Sequence, residues 1–246
     1  MEKTDKFYKI QYTKRLEMIK DAKYAWFWIA YFLVISVVVL SFSYNMLSYL
    51  NCCEIYAVHN SSMYPTINAD PLHEDKTIVD TTIQPEVGNI IMYVALIDNQ
   101  ITNITKRVVA TGGDKITVVK DVSVEGINYY VQVIPKGNTK PHVLVEDYVA
   151  NKSGLEKTYE KFEKLYYASD IQTQVIDGQR YIVVPENSIF ILGDNRENSY
   201  DSSNMGPCNI DGYRGTVVYL IKQGKNVNLI QILFALRLIK SNIKVN

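Results

Sequence analysis

The residues best suited to chemistry are a serine hydroxyl and the groups that could activate it. Ser62 stands in VHNSSMYPTIN, residues 58–68, directly after another serine. A serine hydroxyl attacks a carbonyl group only when a nearby base takes its proton. Histidine is the usual base, but His59, His73 and His142 have no spacing that supports a Ser-His-Asp triad. In an extended segment, His59 is also too near Ser62 to act on it.

A lysine is the other candidate base, provided that its amine is neutral. Lys106 stands in NITKRVVAT, and in a strand it would share a face with Ile104 and Val108 while Arg107 points to the other face. Burial among apolar side chains disfavours the ammonium and can lower a lysine pKa by several units. An exposed lysine at a strand edge is the simpler interpretation of this pattern alone, so the question stays open on the pattern.

An uncharged run precedes these residues. No charged side chain occurs from residue 24 to residue 53, and crossing a hydrocarbon core of about 30 Å takes roughly 20 apolar residues. Residues 1–23 carry seven Lys or Arg, and the next is Lys76. The positive-inside rule therefore predicts a cytoplasmic basic N-terminus (1–23) and a single membrane anchor (24–46), with the rest of the chain extracytoplasmic. The run is longer than the core of a cleaved signal peptide, which favours a retained anchor.

The remainder predicts a mainly β protein. Alternating β-branched runs separated by Gly/Asp turns favour antiparallel sheet in 47–120 and 180–225. Between them, 121–179 is predicted to be an inserted subdomain with a peripheral helix, whose apolar residues recur at helical spacing. Ser153 and Glu156 have the spacing of a capping box for that helix. The tail, 226–246, is predicted to be an amphipathic segment that lies in the membrane interface or packs on the domain.

Charge and cysteine content exclude some classes of function. The 26 basic and 26 acidic residues balance, which gives no electrostatic reason to expect nucleic acid as a partner. The three cysteines form neither a disulfide framework nor a metal-type spacing with the histidines. We therefore expect no metal or cofactor.

Four segments resemble, in order, the conserved boxes of the type I signal peptidases. They are SSMYPTI, VGNIIMY, TKRVVATGGD and VPENSIFILGDNRENSYDS, and they cover roughly residues 55–118 and 180–220. Asn89 replaces the Asp that is usual in the second box. The resemblance implies an antiparallel β catalytic core of signal-peptidase type behind an N-terminal transmembrane helix.

The resemblance also implies roles for individual residues. Ser62 corresponds to the nucleophile and Lys106 to the general base, while Ser199 corresponds to the serine that orients the lysine amine. The amide NH₂ of Asn60 and the backbone N–H of Ser62 are expected to stabilise the oxyanion. Structural support is expected from four further residues, Met63, Arg107, Asp194 and Asp201.

Within this supporting group, Met63 is expected to pack near the Ser/Lys dyad, and one of the two aspartates to pair with Arg107. The family usually has Arg two residues after the position of Asp201 and an aromatic residue soon after. This sequence has Ser203 and Met205 instead. An ion pair of Asp201 with an arginine at that position is therefore not expected.

The implied activity is that of a serine endopeptidase that cleaves signal peptides from exported preproteins, with small residues before the cut. Its partners would be preproteins and the lipid bilayer. The alternative is a catalytically inactive, signal-peptidase-like binding protein that assists surface-fibre assembly, which loss of the dyad would indicate. A self-cleaving regulator with the same dyad would need a DNA-binding module, and residues 1–23 are too short for one.

Overall fold

The computed structural model describes residues 2–68, 74–124, 126–149 and 151–222. The predicted C-terminal segment, 226–246, lies outside the described residues. Two compact units are present, Met1–Asn51 and Cys52–Asn246. The helices are α1 (Glu2–Cys52), α2 (Lys152–Leu165) and α3 (Ser202–Met205), with a 3-10 turn at Ile210–Gly212. The strands are β1 (Cys53–Ala57), β2 (Lys76–Asp80), β3 (Ile90–Ile97), β4 (Gln100–Thr111), β5 (Lys115–Ser123), β6 (Gly126–Ile134), β7 (His142–Val143), β8 (Thr173–Ile176), β9 (Gln179–Val183), β10 (Ser188–Leu192), β11 (Cys208–Asn209) and β12 (Tyr213–Ile221).

The first unit is the continuous helix α1. The sequence of α1 contains neither Gly nor Pro, the two residues that most disfavour a helix interior. Within it, Gln11–Leu47 is long and apolar enough to cross a membrane. The predicted anchor, 24–46, lies inside this stretch, and the helix continues beyond it at both ends. The orientation of the helix in a membrane stays a prediction.

The second unit contains two antiparallel sheets, as the mainly β prediction required. The larger sheet has the strand order β1-β2-β12-β3-β4-β10-β11. β3 and β4 form a hairpin whose two turn residues, Asp98 and Asn99, have positive φ, as the tight turns of hairpins demand. β4 pairs with β3 along residues 100–107, but with β10 only along residues 107–111.

The smaller sheet has the strand order β7-β6-β5-β9-β8. β5 continues from β4 through the turn Gly112–Asp114, in which the Asp114 carboxylate accepts hydrogen bonds from the Thr111 backbone N–H and hydroxyl. This sheet runs through the predicted insertion, and the boundaries at residues 120 and 180 fall within β5 and β9. The domain boundaries themselves stay predictions.

Helix α2 contributes one face to the main core, although the sequence suggested a peripheral helix. Phe162 is fully buried and its ring centroid lies 5.4 Å from that of Phe190 in β10. The capping-box prediction is wrong. The helix begins at Lys152, and Ser153 donates to the Glu197 carboxylate instead of capping the helix, while Glu156 accepts from Tyr129.

Candidate active site

The central contact of the site joins a loop to a strand. Ser62 lies in the turn that follows β1, and Lys106 lies in β4 opposite Ile91 of β3. The Lys106 Nζ and the Ser62 Oγ are 2.7 Å apart, and Nζ also donates to the Thr105 carbonyl oxygen at 3.1 Å. Two residues 44 positions apart in sequence are therefore within hydrogen-bond distance through their reactive atoms.

The surroundings of Lys106 favour a neutral amine. Its side chain is only 2% exposed, and its neighbours on the same strand face, Ile104 and Val108, belong to a buried apolar cluster. Burial lowers the pKa of Lys106 from 10.5 to about 8, even though the carboxylates of Asp201 and Asp194 act to raise it. With such a pKa, roughly a tenth of the molecules carry a neutral amine at pH 7 and about half at pH 8.

Asn60 contacts Ser62, but in a different orientation from the one predicted. Its side-chain Oδ1 accepts hydrogen bonds from the Ser62 Oγ at 2.8 Å and from the Ser62 backbone N–H at 3.3 Å. An Asn side chain readily accepts from the backbone two residues on, which forms an Asx-turn. The amide oxygen, rather than the NH₂ group, therefore faces the serine, and the Ser62 backbone N–H, one of the two predicted oxyanion donors, is engaged with it.

The Ser62 loop is held by the loop that follows β10. The Asn195 backbone N–H donates to the Ser62 carbonyl oxygen at 3.0 Å, and its side chain donates to the Ser61 carbonyl oxygen at 3.0 Å. The Asn198 amide donates to the Ser61 hydroxyl at 3.0 Å. Sequence analysis did not single out these two asparagines, although they belong to the quoted GDNRENSYDS segment. They fix the serine relative to the strand that carries the lysine.

Met63 secures the other side of the same loop. Its side chain is fully buried in a small cluster with Val58, Ile67 and Ile90. The Asn68 amide also donates to the carbonyl oxygens of Val58 and Asn60, at 2.7 and 2.8 Å. Apolar packing and backbone hydrogen bonds together restrict where the Ser62 hydroxyl can lie.

Arg107 pairs with Asp194 on the opposite face of β4. Its Nε and Nη2 donate to the two carboxylate oxygens, each at 2.8 Å, and both side chains are buried. Thr66 in the Ser62 loop donates to the same carboxylate at 2.5 Å. The guanidinium also lies over the ring of Tyr148, 4.0 Å from its centroid, which is a cation–π distance. This ion pair links β4, the Ser62 loop and the loop after β10.

Asp201 has no arginine partner at position 203. Its carboxylate accepts from the Gly193 backbone N–H at 2.9 Å and from the Ser203 hydroxyl and backbone N–H at 2.7 and 3.0 Å. Burial acts to raise the pKa of Asp201, but these hydrogen bonds, with the charge of Lys161, hold it below its ordinary value. The Ser199 hydroxyl also lowers this pKa, although it lies outside hydrogen-bond geometry.

Ser199 does not make the predicted hydrogen bond to Lys106. Among the described residues its buried Oγ has no hydrogen-bond partner. It packs against Gly193, where an added Cβ would lie 2.2 Å from the Ser199 Oγ and 2.6 Å from the Ser62 carbonyl oxygen. Only a glycine leaves space there, so the Ser199 side chain sits beside the backbone of the Ser62 loop.

A second buried ion pair supports the loop after β10. Arg196 pairs with Glu146, and its Nε donates to the Gly193 carbonyl oxygen at 3.0 Å. Glu146 lies in the predicted insertion, 50 residues away in sequence. Sequence analysis missed this pair, because nothing in the pattern around Glu146 distinguishes it from other surface acids.

A cleft of about 240 Å³ opens over the Ser62–Lys106 contact. Along its floor, residues 100–105 of β4 are paired on one side only among the described strands. The lining combines polar groups of the two loops with apolar strand residues, namely Asn60, Ser61, Ser62, Ile97, Thr102, Ile104, Lys106, Asn198 and Tyr200. An extended peptide could therefore add to β4 with its backbone next to the serine.

The two histidines in the described ranges, His59 and His142, make no hydrogen bond to the Ser62 hydroxyl, and His73 lies outside these ranges. His59 contacts Glu74 through its Nδ1 at 2.8 Å, and His142 lies exposed in β7. In the ranges that the structure describes, no group of three His, Cys, Asp or Glu side chains is arranged to hold a metal ion. The groups that contact the Ser62 hydroxyl in these ranges are Lys106 and Asn60.

Two comparisons relate this chain to known proteins. Among solved structures, the chain is similar to a signal peptidase I from Enterococcus faecalis, with 21% identity and a TM-score of 0.32 over 55% of this chain and 97% of that one. The family model described as signal peptidase, peptidase S26, matches residues 26–221, which is most of the chain. The chain therefore belongs to the signal peptidase family, peptidase S26.

Proposed function

We propose that this protein is a membrane-anchored serine endopeptidase that removes signal peptides from exported preproteins, with Ser62 as nucleophile and Lys106 as general base. The observation that carries the proposal is the 2.7 Å contact between the Ser62 hydroxyl and a buried amine whose pKa is lowered to about 8. Family membership supports the signal peptidase role.

In the acylation step, the neutral Lys106 amine takes the proton of the Ser62 hydroxyl as Oγ attacks the scissile carbonyl carbon. The tetrahedral intermediate collapses when the Lys106 ammonium gives that proton to the leaving amine, which departs as the N-terminus of the mature protein. The ester that remains joins Ser62 to the signal peptide. Lys106 then takes a proton from water as the water oxygen attacks the ester carbonyl carbon, and it returns that proton to the Ser62 Oγ as the ester bond breaks, which releases the signal peptide and regenerates both residues.

This sequence of proton transfers requires one hydrogen bond to reverse. With Asn60 Oδ1 accepting from the Ser62 hydroxyl, the Lys106 amine is the donor in its contact with Oγ. Attack requires the hydroxyl to donate to Nζ instead. The ammonium that forms has three N–H donors, and two of them already have partners in Ser62 and Thr105. The Ser199 hydroxyl, which has no hydrogen-bond partner in the described part of the chain, is our candidate for the third, and this is the orienting role that the family resemblance implies.

The cleft supports a choice of substrate. An extended chain that pairs with residues 100–105 of β4 would alternate its side chains between the cleft and solvent. The small volume of the cleft and its apolar residues Ile97 and Ile104 favour small side chains near the cut. The hydrophobic helix α1 would keep the catalytic unit at the membrane surface where signal peptides emerge, with residues 1–23 in the cytoplasm.

The decisive experiment is cleavage of a preprotein by the full-length protein in detergent, followed by sequencing of the new N-terminus. The proposal expects one cut, after a small residue, and no cut with Ser62→Ala. A binding protein that assists surface-fibre assembly would retain the preprotein without cleaving it. Intact preprotein after prolonged incubation with the folded wild type would reject the peptidase.

A further inference from the structure

Lys161 reaches from helix α2 to the loop that carries Ser199. Its Nζ donates to the Ser199 carbonyl oxygen at 2.9 Å and to the Asn204 Oδ1 at 3.0 Å. These two acceptors stand on either side of Asp201 in the sequence. A half-buried lysine of the predicted insertion therefore fixes both flanks of the Asp201 segment.

The charge of Lys161 also matters to Asp201. Ser203, two residues after Asp201, offers the carboxylate hydrogen bonds but no charge. The Lys161 ammonium acts on the Asp201 carboxylate and lowers its pKa. The other charged groups that face Asp201 are Lys106 and Arg196, and the neutral Cys208 thiol faces it as well. Arg196 is already paired with Glu146, which leaves Lys161 as the cation most available to Asp201.

We infer that Lys161 is a positioning residue of the proposed peptidase, which offsets the charge of Asp201 and holds the Ser199 backbone so that Lys106 remains available as a base. The inference rests on the proposed function. It gives helix α2 the task of holding a positive charge near Asp201.

The groups around Lys106 change its pKa in opposite directions. Burial lowers the pKa of Lys106, whereas the charges of Asp201 and Asp194 raise it. The negative charge of Asp194 is balanced by the ion pair with Arg107. The carboxylate that raises the pKa of Lys106 without such a balancing arginine contact is therefore Asp201. A cation beside Asp201 weakens its attraction for the Lys106 proton. Loss of that cation should raise the pKa of Lys106 and reduce the neutral fraction at pH 7.

The test is the pH profile of kcat/KM for preprotein cleavage by the full-length protein in detergent, from pH 6 to pH 10. Lys161→Met should shift the acidic limb to higher pH and lower activity at pH 7 by about three- to tenfold, with a smaller deficit above pH 9. Lys161→Arg keeps the charge and should retain the wild-type limb. Lys157→Met removes an exposed charge one turn away on the same helix and is the matched control.

Each outcome has a distinct meaning. A folded wild type that cleaves no preprotein would reject the proposed function and not the inference alone. If the wild type is active but Lys161→Met loses activity equally at every pH, Lys161 has only a structural role and the inference is wrong. It is wrong too if Lys161→Met matches Lys157→Met, or if Lys161→Arg shifts as far as Lys161→Met. Far-UV circular dichroism of each variant would confirm that the fold is intact.

Discussion

Each of the two faces of strand β4 buries a basic side chain, but only one of the two side chains is paired with a carboxylate. Lys106 is 2% exposed and its hydrogen-bond partners are the Ser62 hydroxyl and a backbone carbonyl. Arg107 is 4% exposed and makes two hydrogen bonds to the carboxylate of Asp194, with Tyr148 stacked on its guanidinium. Strand β4 thus buries the Lys106 amine without a carboxylate hydrogen-bond partner among the described residues. Next to it, the strand buries the Arg107 guanidinium, which is paired with the Asp194 carboxylate.

The difference shows that burial alone does not decide the charge of a basic side chain. Lys106 and Arg107 are buried to nearly the same extent. They differ in their hydrogen-bond partners and in the chemistry of their basic groups. A guanidinium stays charged in proteins and forms planar paired bonds with a carboxylate, while a lysine amine loses its proton when it is desolvated. The Arg107 face therefore holds a paired charge, and the Lys106 face holds an amine that can lose its proton near neutral pH.

The largest effect is expected from changing the lysine face. Lys106→Ala removes the base, and Lys106→Arg replaces it with a group that cannot become neutral, so each should reduce kcat/KM by at least about a thousandfold. The measurement is preprotein cleavage, with the exposed Lys140→Ala as a control that should resemble wild type. Substantial activity in Lys106→Arg would show that the base lies elsewhere.

Changing the arginine face should affect the fold instead. Asp194→Asn leaves the buried Arg107 charge without its carboxylate, and breaking a buried ion pair from one side costs about 3–5 kcal/mol in the free energy of unfolding. Urea unfolding of the full-length protein in detergent, followed by far-UV circular dichroism, would measure the loss. Asp170→Asn, at an exposed position, should change little. A loss below about 1 kcal/mol would mean that the pair contributes no more than a surface contact.

The pH dependence of the free energy of unfolding should also reveal the lysine on one face of β4. In the unfolded chain Lys106 keeps its proton up to about pH 10.5, but in the folded chain only up to about pH 8. The unfolded state therefore binds more protons between these values, and stability should rise with pH across the window. Below about pH 8, burial of the charged Lys106 reduces the free energy of unfolding by its full amount, which is at most about 3 kcal/mol.

Lys106→Met should accordingly raise the free energy of unfolding at pH 7 by about 1–3 kcal/mol and remove this part of its rise with pH. The same urea titration at pH 7 and at pH 10 would test it. A methionine variant that is less stable than wild type at pH 7 would contradict the lowered pKa.

The last prediction concerns the pH dependence of the wild-type activity. A lysine acts as a base only when it is neutral. If Lys106 is the base, kcat/KM should rise about tenfold per pH unit below its pKa of about 8 and level off above it. Initial rates of preprotein cleavage between pH 6 and pH 10 would give the profile. A rate that is constant from pH 6 upward would exclude a lysine with this pKa.

Sequence patterns were sufficient for the parts of the site that depend on local geometry. The period-two alternation of β4 placed Lys106 beside Ile104 and Val108, and these three residues share a buried face in the structure. The pattern alone did not decide between a buried and an exposed lysine, because burial depends on strands and loops distant in sequence. The resemblance to the signal peptidase boxes removed that ambiguity.

Long-range partners could not be predicted in the same way. Either Asp194 or Asp201 could have paired with Arg107, and the choice depends on how the loop after β10 folds back over β4. The contacts of Asn195 with the Ser62 loop and of Lys161 with Ser199 also join residues far apart in sequence. The orientation of the Asn60 amide differs from the prediction for a local reason, because the side chain forms an Asx-turn with Ser62.

The lowered proton affinity of Lys106 has a consequence for chemical reactivity. Only the neutral form of an amine attacks electrophiles, and with a pKa of about 8 roughly a tenth of the Lys106 amines are neutral at pH 7, far more than for a lysine in a model peptide. Small acylating or carbamoylating reagents that fit the cleft should consequently modify Lys106 ahead of surface lysines. Such a covalent adduct would block both the base and the space in front of the serine, which makes the strand amine a second point of attack for inhibitors.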